Sequence, residues 1–146
     1  MTSKLEGLFA LQVLALRLPQ PVREYAFGGA LGRRWKMDFA WPEARVCIEI
    51  QGGTWMPAGG GRHSRGAGYE ADAEKLSAAA LLGWKCLVAT SSQVQSGIAA
   101  AWVEHALRGS GDLQALFPCP KEAATRKALA RAGVRAARLM APNQSL

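Results

Sequence analysis

Residues 33–53 read RRWKMDFAWPEARVCIEIQGG, and their reading decides the fold. Two apolar-rich runs flank Pro42-Glu43-Ala44-Arg45, a turn signal. The stretch therefore reads as a β-hairpin, with strands over roughly 33–40 and 45–51. In the second strand Val46, Ile48 and Ile50 take one face and Cys47, Glu49 and Gln51 the other. In the first, Lys36, Asp38 and Ala40 share a face, and Trp35, Met37 and Phe39 share its opposite. Folding symmetrically between Glu43 and Ala44 sets Asp38 opposite Glu49 and Lys36 opposite Gln51. Directly opposed side chains have Cβ atoms about 4.5–5.5 Å apart. Two carboxylates that close repel unless a proton or cation lies between them. Oxygen ligands of this kind suit Mg²⁺ or Mn²⁺, so Asp38 and Glu49 are the candidate metal ligands. The bland alternative is a solvated strand face neutralised by Lys36.

Working outward, residues 3–18 predict a helix. Ser3 is its N-cap, Glu6 completes a capping box, and Leu5, Leu8, Phe9, Leu11, Leu14 and Leu18 form its apolar stripe. Pro19 and Pro21 end it, and Val22–Phe27 reads as a short strand. After the hairpin, residues 52–68 hold seven of the sixteen glycines and read as a long loop carrying Trp55, Arg62, His63 and Arg65. A helix over Tyr69–Leu82 ends at Gly83. A buried strand follows over Trp84–Ala89, and then a helix over 93–108 capped by Ser92. Trp41, Trp84 and Trp102 read as core. A helix joining two strands implies a crossover, hence an α/β fold with a mixed central sheet flanked by helices, the acids lying on its hairpin. Residues 1–109 form the expected domain, and 110–146 a linker and basic C-terminal helix over 121–139.

The 146 residues are 49% apolar, enough for a core, and carry a net charge of +7. Such a charge favours a polyanionic partner, with DNA the first choice. Arg33, Arg34, Arg62, His63 and Arg65 flank the acids and suit phosphate contacts, which give affinity without sequence information. No apolar run is long enough for a transmembrane helix, so no membrane role is expected. The three scattered cysteines, Cys47, Cys86 and Cys119, form no metal or disulfide pattern and point to a reducing cytosol. Cys86 reads as core, and Cys47 shares the face of Glu49.

Asp38, followed after ten residues by Glu49-Ile50-Gln51, resembles the acid motif of the PD-(D/E)XK nuclease superfamily. With GRHSRGAGYEADAEK and AALLGWKCLV added, residues 3–108 look most like the small DUF559-like and very-short-patch-repair-like endonucleases of phage type. The resemblance implies a restriction-endonuclease-like core and Mg²⁺- or Mn²⁺-dependent hydrolysis of DNA phosphodiesters in a bacterial or phage-infected cell. It further implies branched or mismatched substrates, processing of phage or mobile-element DNA, and room for a homodimer. The family places a lysine where this chain has the neutral Gln51. Some members carry that lysine on the following helix instead, which makes Lys75 the first replacement and Lys36 the second. Lys75 has a plainer role as a partner of Asp72 on one helix face. Glu6 matches the first-helix acid that many members add, besides its capping role. His63 matches a loop histidine that assists near the scissile phosphate in very-short-patch-type relatives. The alternative function is a catalytically inactive, nuclease-like DNA-binding accessory protein.

Overall fold

The computed structural model describes residues 3–51 and 62–117. Trp55, Cys119 and the basic segment 121–139 lie outside the described residues. The chain divides into two compact units, residues 1–110 and 111–146. Within the second, a single helical turn, Leu113–Leu116, is capped by Asp112, whose carboxylate accepts the Gln114 N–H at 2.9 Å.

The first unit is α/β. Helix α1 (Lys4–Ala15) leads into strand β1 (Val22–Ala26), then β2 (Lys36–Trp41) and β3 (Val46–Gln51). Helix α2 (Arg62–Leu81) crosses over to β4 (Lys85–Thr90), and α3 (Ser91–Gln95) and α4 (Ile98–Arg108) close the unit. The strands lie in the order β1-β2-β3-β4; the first two pairings are antiparallel and β3–β4 is parallel. The mixed sheet flanked by helices is the architecture the hairpin and crossover predict. No helix among the described residues is long and apolar enough to cross a membrane.

The hairpin register is the expected one: Phe39 pairs with Ile48, Ala40 with Cys47 and Trp41 with Val46. Pro42–Ala44 make a 3₁₀ turn, and Arg45 closes it with φ 54°. A side chain in the left-handed region costs about 1–2 kcal/mol. Three contacts anchor Arg45 against that cost. Its Nη1 donates to Leu82 O at 2.7 Å, its guanidinium faces the Trp84 ring, and its carbonyl accepts the Lys85 N–H at 2.7 Å. The turn is thereby tied to the end of α2 and the start of β4.

Both faces of the sheet are covered. On one, Phe39, Trp41, Val46 and Ile48 pack with Phe9 and Val13 of α1, Val94 of α3, and Ala99 and Val103 of α4. On the other, Ala40, Cys47 and Trp84 pack with Ala79 of α2. Met37 and Trp35, expected to share the face of Phe39, pack in this second cluster instead, so the alternation of β2 breaks at Asp38. Glu49, two residues from Cys47 along β3, belongs to this second face.

Three further local expectations change. The inward arc of α1 is Leu5, Phe9, Val13 and Leu16, while Leu11 and Leu14 are 64% and 72% exposed. The helix is apolar almost all round, so leucine spacing alone does not choose a face. The choice is made by Phe9, whose ring meets Phe39 edge-on at 4.9 Å, and by the Gln12 amide, which donates to Val94 O at 2.8 Å. Helix α2 begins at Arg62 rather than Tyr69, so Arg62, His63 and Arg65 stand on its first turns and not in a loop. The helix expected over 93–108 is two helices. Thr90, not Ser92, caps the first, its N–H donating to Gln93 Oε1 at 2.9 Å. Gly97 breaks the run with φ 82°. A Thr-x-x-Gln box and a left-handed glycine outweigh continuous helical spacing.

Candidate functional site

The acids meet where the hairpin opens. Pairing between β2 and β3 stops at Phe39–Ile48, although β2 starts at Lys36 and β3 runs on to Gln51. Beyond that point side chains replace the ladder. Asp38 Oδ2 accepts the Ile50 N–H at 2.7 Å, and Glu49 Oε1 accepts the Asp38 N–H at 3.3 Å. Each carboxylate is thus held by the opposite strand's backbone, and Asp38 and Glu49 face one mouth between the strands.

Lys75 reaches the same point. Its Nζ donates to Glu49 Oε1 at 2.8 Å, with side-chain exposures of 18% and 20% for the lysine and the glutamate. The helix dictates this placement. Ala79, one turn on, is fully buried against the sheet, and residues four apart lie on one helix face. Lys75 therefore points inward just above the buried layer, and its partner is Glu49 rather than Asp72.

Two further acids surround Asp38. Glu6 pairs with Arg23 and Glu24 with Lys36, at 2.5 and 3.8 Å. Burial pushes the Asp38 carboxyl above its ordinary range; the Ile50 N–H draws it back, the charge of Glu6 pushes it up, the charge of Lys75 pulls it down, and the charge of Glu24 pushes it up again. Burial likewise raises Glu49, opposed first by the Lys75 hydrogen bond, with the charge of Asp38 pushing it up again. Among the described residues, Glu6, Glu24 and Glu49 each have a cationic partner and Asp38 has none.

Lys36 and Gln51, expected to oppose each other, take different neighbours. Lys36 is exposed and pairs along β1 with Ala26, and Gln51 is exposed and pairs along β4 with Thr90. The opening of the hairpin ends the register before it reaches them. Glu6 keeps its capping function in altered form: Ser3 Oγ accepts the Glu6 N–H at 3.2 Å and donates to Glu6 Oε1 at 3.0 Å. Arg33 donates to Glu74 Oε1 at 2.8 Å and lies over the Trp35 ring, while Arg34 is exposed. Gly28 makes this corner possible, since a Cβ there would sit 2.8 Å from Arg33 O. The side chains of Arg62, His63 and Arg65 lie outside the described residues.

Sequence reasoning missed Glu24 and Arg23. The β1–β2 register carries their signal, because Arg23 pairs with Phe39 and Tyr25 with Met37, leaving Glu24 beside Asp38. Glu24 has φ 49° and no ladder partner. Arg23 lies over the Phe39 ring at 4.6 Å while binding Glu6.

Two carboxylates at one mouth fit a Mg²⁺ or Mn²⁺ ion, which takes one or two protein carboxylates and completes its shell with water and phosphate oxygens. Among the described residues no group of three or more His, Cys, Asp or Glu side chains is gathered closely enough to hold a metal on its own. Compared with known proteins, the chain matches no family model, no curated protein and no solved structure.

Proposed function

We propose that the chain is a metal-dependent endonuclease that hydrolyses DNA phosphodiester bonds, built on a restriction-endonuclease-like core of the PD-(D/E)XK type. The observation that carries the reading is the meeting of Asp38, Glu49 and Lys75. A helix lysine is brought 2.8 Å from the second acid, while the first acid keeps no cationic partner among the described residues. That is a ligand pair with a positive charge beside it, the set that phosphodiester hydrolysis uses.

In this reading Asp38 and Glu49 hold Mg²⁺ or Mn²⁺. The ion, when bound, lowers the pKa of a water and offsets phosphate charge. Lys75 supplies the cation that Gln51 lacks, standing where negative charge builds on the phosphoryl oxygens. Gln51, exposed at the end of β3, orients the attacking water. Glu6, one salt bridge away, tunes the charge at Asp38. Arg33 and Arg34 on one side, and Arg62, His63 and Arg65 at the start of α2, contact the DNA backbone. Branched or mismatched DNA in phage or mobile-element processing is the expected substrate, in a bacterial or phage-infected cytoplasm, with a homodimer as the form that cuts both strands.

The test is incubation with supercoiled plasmid and with branched DNA in Mg²⁺, Mn²⁺ or EDTA. Wild type is expected to cleave with metal only, and Asp38→Asn and Lys75→Met to lose at least a hundredfold of rate, about 2.7 kcal/mol of barrier. Absence of cleavage of either substrate by wild type overturns the enzyme reading. Salt-dependent DNA binding without cleavage would instead support the accessory-protein reading. The neutral Gln51 favours that second reading.

A further inference from the structure

Cys47 and Cys86 lie beneath the acid pair, on the same face of the sheet. They are register partners on the parallel strands β3 and β4, and their sulfurs are 3.5 Å apart. The Cys47 S–H donates to Cys86 Sγ, with Lys85 O as a further acceptor at 3.9 Å. Cys47 is buried, and Cys86 is partly open to solvent. Neighbouring strands are about 4.7–4.9 Å apart, inside the Cα–Cα window of about 4.4–6.8 Å that a disulfide needs. The sheet therefore holds the two sulfurs facing each other, 3.5 Å apart, at a strand spacing that a disulfide can span.

We infer that Cys47 and Cys86 are a dithiol site that a hydroperoxide converts into a disulfide, with Cys86 the reacting thiol and Cys47 the resolving one. The division of labour follows from exposure, because only Cys86 has a route to solvent. The hydrogen bond from Cys47 also lowers the Cys86 thiol below its ordinary range, in the direction that favours attack. In the first step the Cys86 sulfur attacks the peroxide. An S–O bond forms and the O–O bond breaks. The leaving oxygen takes up the Cys86 proton and departs as alcohol or water, and Cys86 becomes a sulfenic acid. In the second, the Cys47 sulfur attacks that sulfur. The S–S bond forms and the S–O bond breaks, and hydroxide leaves as water with the Cys47 proton. Two thiols are oxidised and one peroxide is reduced. The inference stands independently of the nuclease reading.

The experiment uses the full chain carrying Cys119→Ser, treated with hydrogen peroxide while circular dichroism confirms that the fold persists. Peptide mapping without reductant is expected to show a Cys47–Cys86 link that dithiothreitol reverses. Closing so long a loop should also raise the melting temperature by several degrees. With Cys47→Ser added, dimedone should trap a sulfenic acid at Cys86. With Cys86→Ser added instead, Cys47 should label severalfold less. No link in the folded protein, a link formed only in urea, or equal labelling of the two cysteines overturns the inference. The linkage measurement decides the matter even if a buried-site variant fails to fold.

Discussion

Replacing Lys75 with Met tests whether the acids and the lysine form one unit. Met keeps most of the aliphatic stem and its packing but removes the ammonium 2.8 Å from Glu49 Oε1. Breaking a fully buried ion pair costs about 3–5 kcal/mol, because the survivor is left charged and unpaired. Here the two side chains are 18% and 20% exposed, so water reaches Glu49 and the expected loss falls to about 2 kcal/mol at pH 7. With an m-value of about 2 kcal/mol/M, the urea midpoint drops by about 1 M.

The loss should depend on pH in a stated direction. Glu49 titrates above its ordinary value even with the Lys75 bond pulling it down, and without that bond it moves further up. The stabilisation from Lys75 is present while Glu49 is ionised and is lost as pH falls through the folded-state pKa of Glu49. The deficit of Lys75→Met should therefore shrink toward zero on acidification. Adding Glu49→Gln should recover at least about 1 kcal/mol relative to the sum of the single changes. A Lys75→Met protein as stable as wild type at pH 7, or a deficit that persists unchanged at acid pH, refutes the account of a coupled acid–lysine unit.

Asp38→Asn should stabilise the fold at pH 7, since burial raises the Asp38 carboxyl. It removes a charge carried at a cost and keeps an oxygen for the Ile50 N–H; thermal melts should show the gain fading as pH falls through the raised pKa of Asp38 and wild type becomes protonated. Mg²⁺ at ten times its dissociation constant should stabilise wild type by about 1.4 kcal/mol and leave Asp38→Asn unmoved; equal shifts in calorimetry would place the ion elsewhere. Phe9→Ala should cost about 3–5 kcal/mol by emptying the contact with Phe39. Leu11→Ala, on the exposed arc of the same helix, should stay within about 0.5 kcal/mol, and a reversed order in urea melts would invert the facing of α1.

The hairpin was legible because its signals are local. Alternation of period two and a four-residue turn fix the register, and the Phe39–Ile48, Ala40–Cys47 and Trp41–Val46 pairs follow. The crossover was legible because a helix between two strands admits few arrangements. The facing of α1 was not, since Leu11 and Leu14 have the same spacing as residues that do pack. What turns them outward is the shape of the Phe9–Phe39 contact, which involves residues thirty positions apart. The end of the hairpin was hidden for a similar reason. Symmetry carries the register on to Lys36 and Gln51, but the β2–β3 ladder ends at Phe39–Ile48, and beyond it β2 pairs only with β1 and β3 only with β4.

That early end of the ladder is also what creates the candidate site. Had the ladder continued, Asp38 and Glu49 would stand as ordinary cross-strand neighbours on a closed sheet. With the β2–β3 ladder ended at Phe39–Ile48, the backbone N–H groups of Asp38 and Ile50 donate to side chains of the opposite strand, and the two carboxylates take the ladder's place. Buried donors left without acceptors cost about 1–3 kcal/mol each, so the opening requires acidic or amide side chains at these two positions. The remaining charge is then distributed unevenly. Arg23, Lys36 and Lys75 each settle on a glutamate, and the acid at the centre keeps a raised pKa, feeling the Lys75 charge without a direct ion pair among the described residues. Asp38 thus serves the fold by accepting the Ile50 N–H, and under the proposed function the same carboxylate would be the one left to take a cation from outside.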